Sequence, residues 1–156
     1  MSQRGAIEID MFGQYASDVT SDLATAPLND SMERARAAVL QDIRDAFTSG
    51  RSPQGAGWPP RKKEGDGHPL LMDTGALLQA ATGGGPGHIS NLQEREMTVG
   101  VRKATIPYAA VHQYGFPGPD KLGRMLNIPA RPYHGATDES LDAIGEDIAE
   151  ELLQVF

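Results

Sequence analysis

Pro129 and Pro132 constrain this chain more than any other residues. They stand in I-P-A-R-P-Y-H-G, residues 128–135, and neither has an N–H to give to a helix or a sheet ladder. They also push Ile128 and Arg131 toward extended geometry. Ile128–Tyr133 is therefore expected to be a stiff extended segment, and a stiff segment loses little entropy when it docks. Upstream, I-P-Y-A-A-V-H-Q-Y-G at 106–115 has room for about two helical turns. Pro107 suits a first helical position, and Gly115 suits the left-handed residue that stops such a helix. On that helix Tyr108, Val111 and Gly115 share a face, while Ala109, His112 and Gln113 lie around the side. The two halves read as a fixed packing or docking strip beside an aromatic-bearing turn.

The remaining elements follow from periodicity. Ala6–Phe12 alternates like a half-buried strand. Gln14–Ala24 places Tyr15, Val19 and Leu23 four apart, a short helix that Pro27 ends. Met32, Ala35, Val39, Ile43 and Phe47 recur at three and four, which predicts a helix over 31–48 closed by Gly50, with Asp30 as its cap and Glu33 reaching back to complete a capping box. His88–Leu92 and Glu96–Val101 read as paired strands, the second with Met97, Val99 and Val101 on one face. Gly83–Gly87 reads as a turn joining two strands; no Lys-Ser/Thr pair follows it, so it is not a phosphate loop. A last helix is predicted from Thr137 or Asp138. Its stripe is Leu141, Ile144, Ile148, Leu152 and Val155, its other face is acidic, and Gly145 is read as marking close packing against the sheet. The expected fold is α+β, one domain over 1–156. A small antiparallel sheet packs against a long central helix and a C-terminal helix, with long Pro/Gly-rich loops at 51–69 and 116–127.

The 51–69 loop carries four prolines, four glycines and the chain's one tryptophan. A loop this long in a compact domain is usually functional or disordered, and this one is expected to be ordered mainly by a partner. Trp58 either plugs the loop onto the domain or anchors an interface. Arg61, Lys62 and Lys63 form a basic cluster that reads as a protein-contact arm or a solvated loop, with nucleic-acid contact the weaker alternative. In L-L-M-D-T-G, Asp73 and Thr74 form turns through their side-chain oxygens and Gly75 permits positive φ. The same triplet occurs in aspartic proteases, where an apolar strand precedes it and two such aspartates meet across a symmetric cleft. Here Leu70–Met72 is short and there is one D-T-G. His68, His88, His112 and His134 form no metal-binding pattern, although His112 and His134 both belong to the organising stretch. No cofactor is expected, and an aspartyl or metal-dependent hydrolase remains only a remote alternative.

Charge is distributed unevenly along the chain. Residues 51–131 carry ten basic and six acidic side chains, whereas residues 132–156 carry seven acidic and no basic ones. The acidic end is either a solvated helix face or one half of a charge-complementary contact between copies or neighbours. The overall charge of -7 argues against a dedicated nucleic-acid binder. There is no cysteine for a disulfide framework, no apolar run near 18 residues for a membrane span, and no apolar core of a signal peptide near the N-terminus. Intracellular synthesis is expected.

Taken in order, W-P-P, L-L-M-D-T-G-A-L, a V-G-V strand, P-Y-A-A-V-H-Q-Y-G, I-P-A-R-P-Y-H-G and an acidic amphipathic end resemble the phage virion morphogenesis family, the tail completion proteins of tailed bacteriophages. The likeness covers about residues 30–156. It implies a non-enzymatic virion protein that completes or caps the head-proximal end of the tail and forms part of the neck. A phage assembly chaperone or head-closure adaptor is the alternative. The implied assembly is a homohexameric ring touching tail tube, tail sheath or connector proteins, made in the host cytoplasm, with no membrane and with non-specific DNA contact in the lumen at most. The expected subunit or partner interface is Trp58, Arg61, Lys62, Lys63, Tyr108, His112, Tyr114, Arg131 and Tyr133. Asp73, Thr74, Gly75, Gly115, Pro129 and Pro132 are expected to be structural, and Arg131 to be held by a carboxylate or by backbone carbonyls.

Overall fold

The computed structural model describes residues 18–62 and 67–155. The strand expected at 6–12, the start of the helix expected over 14–24, and Lys63 lie outside these residues. A helix over 18–25 (α1) leads to α2, Asn29–Ser49, the longest element. Then come α3 (Ala76–Thr82), β1 (His88–Gln93), β2 (Glu96–Val101), α4 (Ala109–Tyr114), β3 (Phe116–Pro119), β4 (Met125–Ile128) and α5 (Asp138–Leu153). The described residues form a mixed α+β fold with two antiparallel two-stranded sheets, β1–β2 and β3–β4. No described helix is long and apolar enough to cross a membrane.

The periodic stripe of α2 is buried as expected: Met32, Ala35, Val39, Ile43 and Phe47 all face inward. Its lower half meets Leu77, Ala80 and Ala81 of α3, and Ile106, Ala109, Trp58 and Tyr133 close the core. Sheet β1–β2 packs on α2 and α3 through Met97, Val99 and Val101, the face that the alternation predicts. Its strands pair in register from His88↔Val101 to Gln93↔Glu96.

Four local expectations are corrected. The capping box at Asp30 and Glu33 does not form: Leu28 is the N-cap and no side chain of the helix itself caps it. The cap comes from α5, where the Glu151 carboxylate accepts from the backbone N–H of Ser31 at 2.7 Å and of Asp30 at 3.3 Å. An anion at a helix N-terminus is favoured by the dipole and by the unpaired donors there. The Ser31 side chain first, then these backbone N–H groups and the nearby Arg34, hold the Glu151 carboxyl below its usual range. Secondly, Gly83–Gly87 joins a helix to a strand rather than two strands, because Leu77–Thr82 is helical. Thirdly, the Pro/Gly-rich segment 116–127 is not a loop but most of the β3–β4 hairpin, in which Phe116 pairs with Ile128 and Pro119 with Met125. Both prolines sit where an edge strand tolerates a missing donor.

The fourth correction concerns α5. It starts as predicted, with the Thr137 hydroxyl accepting from Ser140 N–H. It packs on α2, not on the sheet. Asp42 of α2 accepts from the Thr137 backbone N–H at 2.8 Å, and Arg34 of α2 pairs with Asp147 at 2.9 Å. Gly145 marks no close approach, since a Cβ there would meet nothing within 4 Å. No residue of α5 is fully buried.

Candidate functional site

Four sequence motifs from separate parts of the chain meet at one cleft of about 430 Å³. Arg61 comes from the 51–69 loop, Asp73 and Thr74 from the D-T-G turn, Tyr108 and His112 from the start of α4, and Arg131 from the proline strip. The elements that bring them together are local in origin. Gly75, at φ 75°, turns the chain into α3, and the Thr74 hydroxyl accepts from Ala76 N–H. Leu71, on the cleft wall, holds a positive φ of 63° that costs a non-glycine residue about 1–3 kcal/mol.

The strip is clamped from both sides. Arg131 is 7% exposed. Its Nε donates to Pro59 O at 2.8 Å and one terminal nitrogen donates to Pro60 O at 3.0 Å. Arg131 is thus held by backbone carbonyls, one of the two alternatives expected for it. Burial, then the nearby Arg61 guanidinium, lowers its pKa. Trp58, also 7% exposed, lies edge-on to Phe47 and donates its indole N–H to Pro132 O at 2.8 Å. Of the two readings left open for Trp58, the plug is the one observed. Tyr133 is buried against Phe47 and donates its hydroxyl to Ala109 O; burial pushes its pKa up to about 12.

These contacts correct the expectation that a partner orders the 51–69 loop, over the part that is described. Arg51 bridges to Gly57, Ser52 is buried, and Arg61 donates to His68 O and Pro69 O. The basic cluster is divided: Arg61 is half-buried and engaged, and Lys62 is exposed.

On the other side of the strip stands Gln113, expected only at the side of its helix. Its Oε1 accepts from the backbone N–H of Tyr133 and His134, at 3.0 and 3.1 Å, and its Nε2 donates to His134 O. Arg131 N–H also donates to His112 O. One amide side chain therefore acts as a substitute strand for a segment whose prolines cannot join a ladder. The H-Q pair standing one hairpin ahead of P-x-R-P was the available signal. Glu151 and Asp42, which tie α5 to α2, gave none, since both look like ordinary surface acids.

Helix α4 is shorter than the two turns expected from Pro107 to Tyr114. Its buried residue is Ala109, while Tyr108 is partly exposed, because the core lies against the side of the helix and not against the Tyr108–Val111 face. Gly115 has positive φ, 76°, but ψ 173°, so it is not a left-handed cap. Its necessity has a second cause: a Cβ there would come within 2.9 Å of Ala130 N and Ile128 O. His112 and His134 line different pockets. Burial lowers both pKa values, with Arg131 adding to the effect at His112 and a Val99 backbone hydrogen bond opposing it at His134. His112 Nδ1 and His134 Nε2 have no hydrogen-bond partner among the described residues.

Asp73 stands out into solvent with its carboxylate 3.7 Å from His68 Nε2. The outer surface carries a second group of side chains. Tyr114 at the end of α4, Leu122 and Met125 on the β3–β4 hairpin, and Leu141 and Leu153 on α5 are all large, apolar or aromatic, and exposed. The clamp residues Trp58, Arg131 and Tyr133 thus hold the scaffold, and Tyr114 is the most open of the expected interface's aromatic residues.

A family model described as the phage virion morphogenesis family matches residues 14–153. No curated protein and no solved structure matches the chain.

Proposed function

Because the chain belongs to the phage virion morphogenesis family, we propose that it is a structural protein of a tailed-phage virion, completing the head-proximal end of the tail within the neck. The family match over nearly the whole length carries this reading. The architecture supports it. The prolines, Trp58 and Arg131 of the sequence motifs hold a stiff scaffold, and the exposed apolar side chains sit on outer elements, as in a component that contacts neighbours. The working assembly is a ring of identical subunits, six if it matches a sixfold tail tube, with tube, sheath or connector proteins above and below. Rings require unlike surfaces in contact, and the acidic α5 and the mildly basic middle of the chain supply them. DNA in the lumen would meet Lys62 before Arg61, which is already engaged by carbonyls.

The test is the solution mass by light scattering with negative-stain images of the same sample, alongside virions made without the protein. Closed rings, and tails that fail to join heads in its absence, are the expected results. Absence of the protein from purified particles by mass spectrometry would overturn this reading in favour of an assembly chaperone.

A further inference from the structure

The β3–β4 hairpin is built to be held out. Its strands pair with each other, and no described helix or strand packs extensively on them. Within it the Phe116 ring lies over buried Gly118, where an added Cβ would come within 3.1 Å of the ring. A lone two-stranded hairpin is marginal in water, yet this one has a braced tip. The Asp120 carboxylate accepts from the backbone N–H of Leu122 and Arg124 and pairs with the Arg124 guanidinium at 2.6 Å. Those hydrogen bonds, that from the Arg124 backbone N–H foremost, lower the Asp120 pKa. The braced tip presents Leu122 and Met125, each 77% exposed, beside Lys121, which has no ion-pair partner among the described residues.

Helix α5 carries the counterpart. Leu141, Gly145, Ala149 and Leu153 follow one another at spacing four and form one ridge. Asp142, Glu146 and Glu150 form the next ridge, and all seven residues are exposed. Gly145 leaves a hollow between Leu141 and Ala149, because nothing fills the place of its Cβ. The opposite side of the helix is occupied by α2, through Asp147 and Glu151. The free side is thus an apolar row flanked by an acidic row, and α5 has no basic side chain to neutralise it.

We infer that the 116–128 hairpin of one copy of this chain docks along the exposed face of α5 of a second copy. Leu122 and Met125 meet the Leu141–Leu153 row, and Lys121 meets the Asp142, Glu146 and Glu150 row. Within one chain the hairpin does not pack extensively on α5, so a second copy brings the matching surfaces together. A braced tip loses little entropy on docking. The two surfaces are unlike, so the contact is head to tail and repeats until a ring closes. The inference rests on the ring reading above and specifies its interface.

The absence of cysteine from the chain makes the test clean. Leu122→Cys and Leu153→Cys are made singly and together, and the assembled protein, in solution or on isolated tails, is oxidised and run without reductant. Mixing the two single variants should give one cross-linked dimer. The double variant should give a ladder ending at the ring's copy number. Lys121→Glu should weaken assembly about tenfold at low salt, and adding Glu146→Lys should restore it. Rings that persist without any cross-link overturn the docking and leave the ring reading standing. Dimers from Leu122→Cys alone, a purely intrachain disulfide, or a protein that is monomeric and absent from particles also overturn it, the last together with the ring reading.

Discussion

The proline strip and the β3–β4 hairpin are neighbours in sequence and opposites in use. Both are rich in residues that break regular structure, and both look from composition like segments that meet a partner. The strip, from Ile128 to Tyr133, is turned inward: Arg131 and Tyr133 are buried, its backbone is answered by Gln113, Trp58 and His112 O, and the Arg131 guanidinium by the carbonyls of Pro59 and Pro60. The hairpin answers its own backbone with its own strands and leaves Leu122 and Met125 outside. The difference shows what decides the direction. A proline-bearing segment that cannot join a ladder must borrow hydrogen-bond partners from the body of the protein, and borrowing them buries it. A segment that closes its own ladder is free to face outward.

The sharpest way to break this contrast is Trp58→Ala. It should remove the edge contact with Phe47 and the hydrogen bond to Pro132, and cost about 3–5 kcal/mol in a denaturant titration. Wild-type stability in that variant would mean the loop is not fastened to the core. Arg131→Ala should cost about 2–3 kcal/mol, because the strip loses two charge-assisted hydrogen bonds and the packing of a buried side chain. Arg131→Lys should recover little of that, since an ammonium lacks the planar fork. Gly115→Ala should cost about 1–3 kcal/mol from its φ and the approach of Ala130; a thermal melt unchanged from wild type would show that the close approach relaxes at no cost.

A smaller effect belongs to the α2–α5 cap. The folded pKa of Glu151 is depressed by its hydrogen bonds to Ser31. Its contribution is therefore fully present above the carboxylate's ordinary pKa of about 4.3 and is lost as pH falls through the lower folded value. Glu151→Gln should flatten the stability–pH curve in that acid range, and a curve that overlays the wild type would remove Glu151 as the cap. At the outward end of the comparison, Leu122→Ser should change the stability of the isolated chain by no more than about 0.5 kcal/mol, while weakening assembly. A large loss of stability in the isolated chain would show that the hairpin tip is packed after all.

Much of the scaffold was legible in advance, for reasons that individual residues make plain. Met32 to Phe47 recur with helical period, so α2 and its buried face follow from spacing alone. Met97, Val99 and Val101 alternate, so β2 does too. Thr137 caps α5 where an N-cap residue precedes two acids. The misreadings cluster where a distant group overrides a local signal. Asp30 and Glu33 form a capping-box pattern, yet the Glu151 carboxylate takes the donors. Leu141 belongs to the apolar stripe by period, yet it lies away from the Asp147–Glu151 side that meets α2, and it stays 55% exposed. The prolines of 116–119 suggested a loop because a proline in a strand is tolerated only at an edge, and sequence gives no sign of which strands are edges.

By itself, the order of residues determined the elements with strong period, the stiffness of the proline strip, the positive φ at Gly75, the surplus of acid at the end of the chain, and a motif series specific enough to point to a phage virion family. These are properties of neighbours within a turn or two, where backbone geometry and side-chain spacing suffice. Only the tertiary structure decided that Gln113 fastens the strip, that carbonyls and not a carboxylate hold Arg131, that Trp58 faces the core, that Glu151 caps α2, and that the hairpin and the outer ridges of α5 remain uncovered. Each of these depends on which donors and which apolar surface other parts of the chain have already satisfied, a competition among residues tens of positions apart that local spacing does not record.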